Sequence, residues 1–280
     1  MKTSPAALAA ALAVTALLAG CSSTPFGAPV ASAVAAPAAM SAPAHAGGYL
    51  AVEQVQALAG SVPAPFADGS AEQAADRALS DRYRAYEGGD RWLLATGHAE
   101  LSPRLAAQHF DCALNVRFAA APTPRLTALF DKVLKDANGA AETAKARAFR
   151  PRPVGVDATR TACTVVSAAG RASASYPSGS ATVGVAYGEA VAALDPDHAA
   201  AAREIGHQIA VSRVVCGMHY PADAAAGEVL GRAVFAQIAA TPGFQADLEA
   251  ARAELAAVRA TGLTNPGCAA ERAALALPLP

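Results

Sequence analysis

The chain has 280 residues, 53% apolar but only 5% aromatic, and its 22 basic and 23 acidic residues leave a formal net charge of −1. That length holds one sizeable domain plus extra segments. Near-neutral charge excludes a broad nucleic-acid surface, and the abundance of Ala favours closely packed helices over sheets.

The N-terminus reads as a targeting segment. Lys2 precedes an apolar stretch over 6–18, too short for a typical transmembrane helix, and the run ends Leu17-Leu18-Ala19-Gly20-Cys21. This fits a lipoprotein signal over 1–20 with Cys21 as the acylated first residue; an ordinary cleaved signal with a chance Cys is the alternative. Ser22 follows Cys21, which points to the outer membrane, facing the periplasm. Residues 21–48 are then a flexible Ala-, Pro-, Ser- and Gly-rich tether, 49–262 the folded domain and 263–280 a C-terminal tail.

Within the domain, helix signals recur. Ser70 and Gln73 form a capping-box pattern that opens a helix through Tyr86. Ser102-Pro103, Thr123-Pro124, Asp195-Pro196 and Thr241-Pro242 each pair a capping oxygen with Pro at the first helical position. After Thr123, Leu126, Leu129, Phe130, Val133, Leu134 and Ala137 make one apolar stripe. Asn138-Gly139 predicts its end, with Lys145 on a short helix beyond. Val183, Ala186, Tyr187, Ala190, Val191 and Leu194 mark another helix. The class expected is all-α, with about eight helices.

Apart from Cys21, four cysteines remain: Cys112, Cys163, Cys216 and Cys268. An even count in an exported chain suggests two disulfides, with metal binding the competing reading. No CxxC spacing supports a metal. If the segments around Cys163 and Cys216 share a site, those two pair, leaving Cys112 with Cys268.

Three short segments carry chemistry. Lys145 and Arg152 offer a point charge and a planar fork; Pro151 and Pro153 keep Arg152 on an extended turn. Pro177-Ser178-Gly179 precedes a helix whose free N–H groups favour an anion. Ser212-Arg213 closes a helix that Gly217 terminates; His219 follows, and Asp223 falls in the first turn of the next helix. Alone, each segment also fits solvated cations, a plain helix start, or a capping Asp beside an incidental His. Together they supply three cations, N–H groups and a His that a carboxylate can orient for attack on phosphorus. The tether holds His45; His98, His109, His198 and His207 lack a comparable partner and fit surface or packing positions.

In their order and spacing the segments resemble the bacterial class A non-specific acid phosphatases, in the superfamily that includes type-2 phosphatidic acid phosphatases and vanadium haloperoxidases. That pattern is Lys-x6-Arg-Pro, then Pro-Ser-Gly-His, then Ser-Arg-x5-His-x3-Asp. Lys145, Arg152, Pro153, Pro177, Ser178, Gly179, Ser212, Arg213, His219 and Asp223 match it, and the similarity runs from about Tyr49 to Leu255. The resemblance implies one helical domain and phosphomonoester hydrolysis without metal or other cofactor. His219 would be the nucleophile, forming phosphohistidine, and Asp223 its orienting carboxylate. Lys145, Arg152, Ser178, Gly179 and Arg213 would bind phosphate. Ser180 departs from the pattern, which has a proton-donating His there; loss of such a donor typically costs ~10²–10⁴ in rate. The expected partners are a small phosphomonoester and inorganic phosphate, with no nucleic acid, membrane contact only through the lipid, and a homo-oligomer left open. The alternative function is a non-catalytic phosphate or phospho-ligand binder.

Overall fold

The computed structural model describes residues 47–280; the expected signal, Cys21, His45 and the tether up to residue 46 lie outside them. Nine helices of eight or more residues are present among the described residues: α1 (Val52–Gly60), α2 (Ala71–Arg82), α3 (Asp90–His98), α4 (Pro124–Lys145), α5 (Gly179–Leu194), α6 (Ala199–Val215), α7 (Pro221–Ala239), α8 (Pro242–Ala260) and α9 (Cys268–Leu275). Shorter helical turns connect them, and the one β feature described is an isolated antiparallel bridge between Pro151 and Ala174. The all-α class follows from these elements.

Helix α5 is the central element. It is apolar on all sides and buried along nearly its whole length, flanked by α4, α6 and α7, as expected of a helix without a polar face. Small residues set its spacing. A Cβ at Gly188 would lie 3.0 Å from the Ala202 carbonyl, and one at Gly231 would lie 2.5 Å from that of Thr182. Against α4, Tyr187 stacks on the fully buried Phe130 with ring centroids 4.1 Å apart. Truncating Phe130 to Ala is expected to cost about 3–5 kcal/mol.

Two of the five expected caps form, whereas Ser102, Thr123 and Asp195 make no side-chain cap hydrogen bond although Pro follows each at the first helical position. Ser70 accepts from the Gln73 N–H and Thr241 from that of Phe244; Gln73 reaches back to Gly69 rather than to the cap residue itself. The helix opened by Ser70 ends at Arg82 and passes through a 3-10 turn to Tyr86. A 3-10 turn, Pro196–His198, likewise precedes α6. Gly217 ends α6 at φ +67, a conformation that strains any L side chain, and a Cβ there would lie 2.8 Å from Arg160 Nε.

One expectation is corrected. Asn138-Gly139 does not end the helix after Thr123: α4 continues unbroken to Lys145, so Lys145 belongs to the same helix as Phe130. Glycine costs about 1 kcal/mol in a helix interior. Here Gly139 is buried among Ala137, Ala140, Ala141 and Ala144, and that packing outweighs local propensity.

Disulfides join Cys163 to Cys216 and Cys112 to Cys268, which removes all four as metal ligands. The second ties 263–280 to the body. This stretch, expected as a C-terminal tail, carries α9, and the Tyr86 hydroxyl donates to the Pro278 carbonyl.

Candidate active site

Backbone contacts draw the three chemical segments together. The Ser175 N–H donates to the Arg150 carbonyl at 2.8 Å, alongside the Pro151–Ala174 bridge, placing the first segment beside the second. The Val154 N–H donates to the Gly217 carbonyl at 3.2 Å, and the Ser178 N–H to the Asp223 carbonyl at 2.9 Å, so the third segment touches both.

His219 lies at this junction, 2% exposed. Its Nδ1 is 2.9 Å from the Ser175 carbonyl oxygen, and its Nε2 is 2.9 Å from Arg152 NH1. A carbonyl can only accept and a guanidinium can only donate. The proton is therefore on Nδ1 and the lone pair on Nε2, facing the cations. Burial, then the charges of Arg152, Arg213 and Lys145, hold the imidazole well below the usual His range. The neutral ring is thereby favoured further into acid than an ordinary imidazole.

The cations sit around that lone pair. Arg152, on extended backbone as expected, also donates through Nε to Ser173 and through NH1 to the Met218 carbonyl. Arg213 is buried, and its Nε and NH1 have no hydrogen-bond partner among the described residues; burial and then Arg152 push it down to about 10. Lys145 Nζ lies 3.2 Å from where a Cβ on Gly179 would be, at the N-terminus of α5. Burial lowers its proton affinity, and Glu142, 2.5 Å away, opposes that. Unpaired buried donors of one sign are costly unless an anion satisfies them.

The α5 N-terminus completes the cluster. Ser178 Oγ accepts from the Ala181 N–H, which leaves its own hydroxyl proton to donate. The Ser178 carbonyl takes the Thr182 N–H. Peptide 176–177 before this turn is cis. Ser180 is half-buried beside Gly179.

The Asp223 geometry differs from the simple His–carboxylate contact expected. Asp223 Oδ2 lies 3.9 Å from His219 Nδ1, beyond hydrogen-bond reach. Ser175 stands between them: its carbonyl holds the ring, and its hydroxyl donates to Asp223 Oδ2 at 2.5 Å. Asp223 Oδ2 also caps α7 through the Tyr220 N–H, and Oδ1 pairs with Arg150 NH1 at 2.6 Å. Burial pushes this carboxyl up, with Arg150 opposing. Arg150 in turn pairs with Asp76 of α2 at 2.6 Å and lies over the Tyr220 ring.

Arg150, Ser175, Asp76 and Glu142 are absent from the expected site. A signal existed for two of them. Arg150 repeats the Arg-Pro pattern two residues before Arg152, and α2 buries a polar face of Gln73, Asp76 and Ser80 where an apolar stripe is normal.

A model of the PAP2 superfamily matches residues 133–245, a span that includes all three segments. An acid phosphatase of Zymomonas mobilis subsp. mobilis is 33% identical over 201 residues, 71% of this chain and 76% of that protein. The chain belongs to the PAP2 superfamily. Non-specific acid phosphatases of Providencia stuartii and Salmonella typhi are also similar, 26% identical over 185 residues and 28% over 173. These cover 75% and 69% of the two relatives. Within this PAP2 chain Arg152 contacts the Nε2 edge of His219, and Ser175, Asp223, Arg150 and Asp76 follow one another from its Nδ1 edge. A surface groove of about 1150 Å³, lined by residues from Ser102 to Asp131, lies elsewhere.

Proposed function

We propose that this chain is a phosphomonoesterase that works through a phosphohistidine at His219, with bound cations of the protein itself in place of a metal. One observation carries the reading: a neutral, buried imidazole directs its Nε2 lone pair at a cluster of Arg152, Arg213 and Lys145. A phosphoryl group among those cations sits where the lone pair can reach phosphorus, and the charge that builds on its oxygens is met by fixed donors. Nε2 attacks, the ester P–O bond breaks, and water later cleaves the P–N bond. As the ring gains positive charge, the Ser175 carbonyl and the Asp223 carboxylate beyond it stabilise it. Arg152 must leave Nε2 for the phosphoryl oxygens before attack.

The acid phosphatase names of the relatives support small phosphomonoesters as substrates and inorganic phosphate as product. In this reading the Ser180 hydroxyl cannot act as the leaving-group acid. The motif ending at Cys21 further supports a lipid-anchored enzyme of the outer membrane, facing the periplasm.

The test is turnover of an aryl phosphate together with trapping of a labelled, acid-labile phosphoenzyme. Both are expected in the native chain and neither in His219→Ala. Turnover that survives His219→Ala sinks the phosphohistidine reading.

A further inference from the structure

We propose that Glu142 moves the proton at the leaving oxygen, a role for which Ser180 is chemically unsuited. The proposal rests on the phosphohistidine reading above. Because α4 runs unbroken through Gly139, Asn138, Glu142 and Lys145 fall at i, i+4 and i+7 and share one face. That face meets the N-terminal turn of α5. A Cβ on Gly179 would lie 3.2 Å from Lys145 Nζ, 3.5 Å from Glu142 Oε1 and 3.6 Å from Asn138 Oδ1. The Glu142 carboxylate therefore stands at the same turn as Ser180, in contact with a cation of the phosphate cluster.

Two carboxylates act on Arg152, Asp223 and Glu142, and they differ in kind. Asp223 is fully buried, with both oxygens engaged by Arg150, Ser175 and Tyr220, on the Nδ1 side of the ring. Glu142 is 44% exposed, and its described contact is the Lys145 ammonium at 2.5 Å. A leaving group departs toward solvent, and Glu142 is the carboxylate on that side. Ser180 has no described hydrogen bond that would polarise its hydroxyl. When phosphate takes over Lys145, the Glu142 carboxyl is released from the ammonium beside the leaving oxygen.

The steps balance. In the first, the Nε2 lone pair forms the N–P bond, the ester P–O bond breaks with its electron pair on oxygen, and the Glu142 carboxyl proton passes to that oxygen. In the second, water attacks phosphorus and gives a proton to the Glu142 carboxylate, and the P–N electron pair returns to Nε2.

The experiment compares 4-nitrophenyl phosphate with ethyl phosphate for the native chain, Glu142→Gln and Glu142→Gln/Ser180→His, with thermal midpoints to confirm folding. A nitrophenolate leaves without a proton; an ethoxide does not. Glu142→Gln is expected to lower kcat on ethyl phosphate by ~10²-fold and on the aryl ester by under ~10-fold, and adding Ser180→His to restore ethyl phosphate by ~10-fold or more. Equal loss on both substrates, no loss, or no ethyl phosphate hydrolysis by the native chain overturns the proposal. So does faster turnover of both esters with tighter inhibition by inorganic phosphate, which makes Glu142 only a competitor for Lys145. Any of these outcomes, with His219→Ala still inactive on the aryl ester, leaves the phosphohistidine reading standing.

Discussion

Arg150 and Asp223 form a buried ion pair, NH1 to Oδ1 at 2.6 Å, and this pair stands behind the His219 ring. It belongs to a line of alternating charge. Asp76 offsets Arg150, Arg150 offsets Asp223, and Asp223 reaches His219 through Ser175. Burial alone would lower the proton affinity of Arg150, but Asp223 and Asp76 raise it above the ordinary value. A buried carboxylate stays charged in such a line only while its cation is itself balanced.

Asp76→Asn tests the far end of that line. With Asp76 neutral, Arg150 draws more of the Asp223 charge, and less remains to stabilise the imidazolium. The expected result is a ~10-fold lower kcat with KM nearly unchanged, beside a stability loss of about 3 kcal/mol. An unaltered kcat per folded molecule makes Asp76 a purely structural partner.

Arg213→Met should act in opposite directions on stability and activity. Two Arg213 nitrogens are buried with no hydrogen-bond partner among the described residues, within electrostatic reach of Arg152. Removing that unpaired cation is expected to raise stability without phosphate by about 1–3 kcal/mol. Stabilisation by inorganic phosphate, about 2.7 kcal/mol at a hundredfold excess over Kd, should largely disappear. Turnover should fall ~10²-fold or more. Calorimetry with and without phosphate checks both signs.

The buried histidines set an acid limit. His98 is pushed down to about 3, chiefly by burial, and His219 well below its ordinary 6.5. Well above pH 6.5 both are neutral, folded or unfolded, and contribute no pH dependence. Below it the unfolded chain takes up protons that the folded chain refuses, so stability falls as pH drops from 6.5 toward 3. Each group contributes a slope of at most ~1.4 kcal/mol per pH unit. His98→Asn should flatten the fall in thermal midpoint between pH 6.5 and 4, whereas an equally steep fall assigns it to other groups. Added phosphate should weaken the His219 part, because an anion beside the ring favours its protonated form.

Replacing Cys112 and Cys268 together by Ala should release α9 without touching the site. By the loop-entropy model a bridge of this span, 156 residues, contributes up to about 5 kcal/mol. The variant is expected to melt earlier and to be cut sooner near residues 263–280 by protease, with kcat on an aryl phosphate unchanged. A fall in kcat ties α9 to the chemistry.

By itself the sequence determined the helical class, most helix starts, and the residues of the three segments. Apolar periodicity, capping oxygens and Pro positions are short-range signals, and each acts within one or two turns. The end of α6 at Gly217 was legible for the same reason. Only the tertiary structure decided how those segments meet. Asp76 lies far along the chain from Arg150 and Asp223, and nothing local marks it as their counter-charge. Ser175, not Asp223, holds the His219 ring, because the backbone before the cis peptide passes between them. The stripe of Asn138, Glu142 and Lys145 exists only because α4 survives its glycine. The physical reason is the same in each case. Local propensities differ by about 1 kcal/mol or less, whereas burying a helix against α5, or a charge beside its partner, is worth several, and those terms are set by residues distant in sequence.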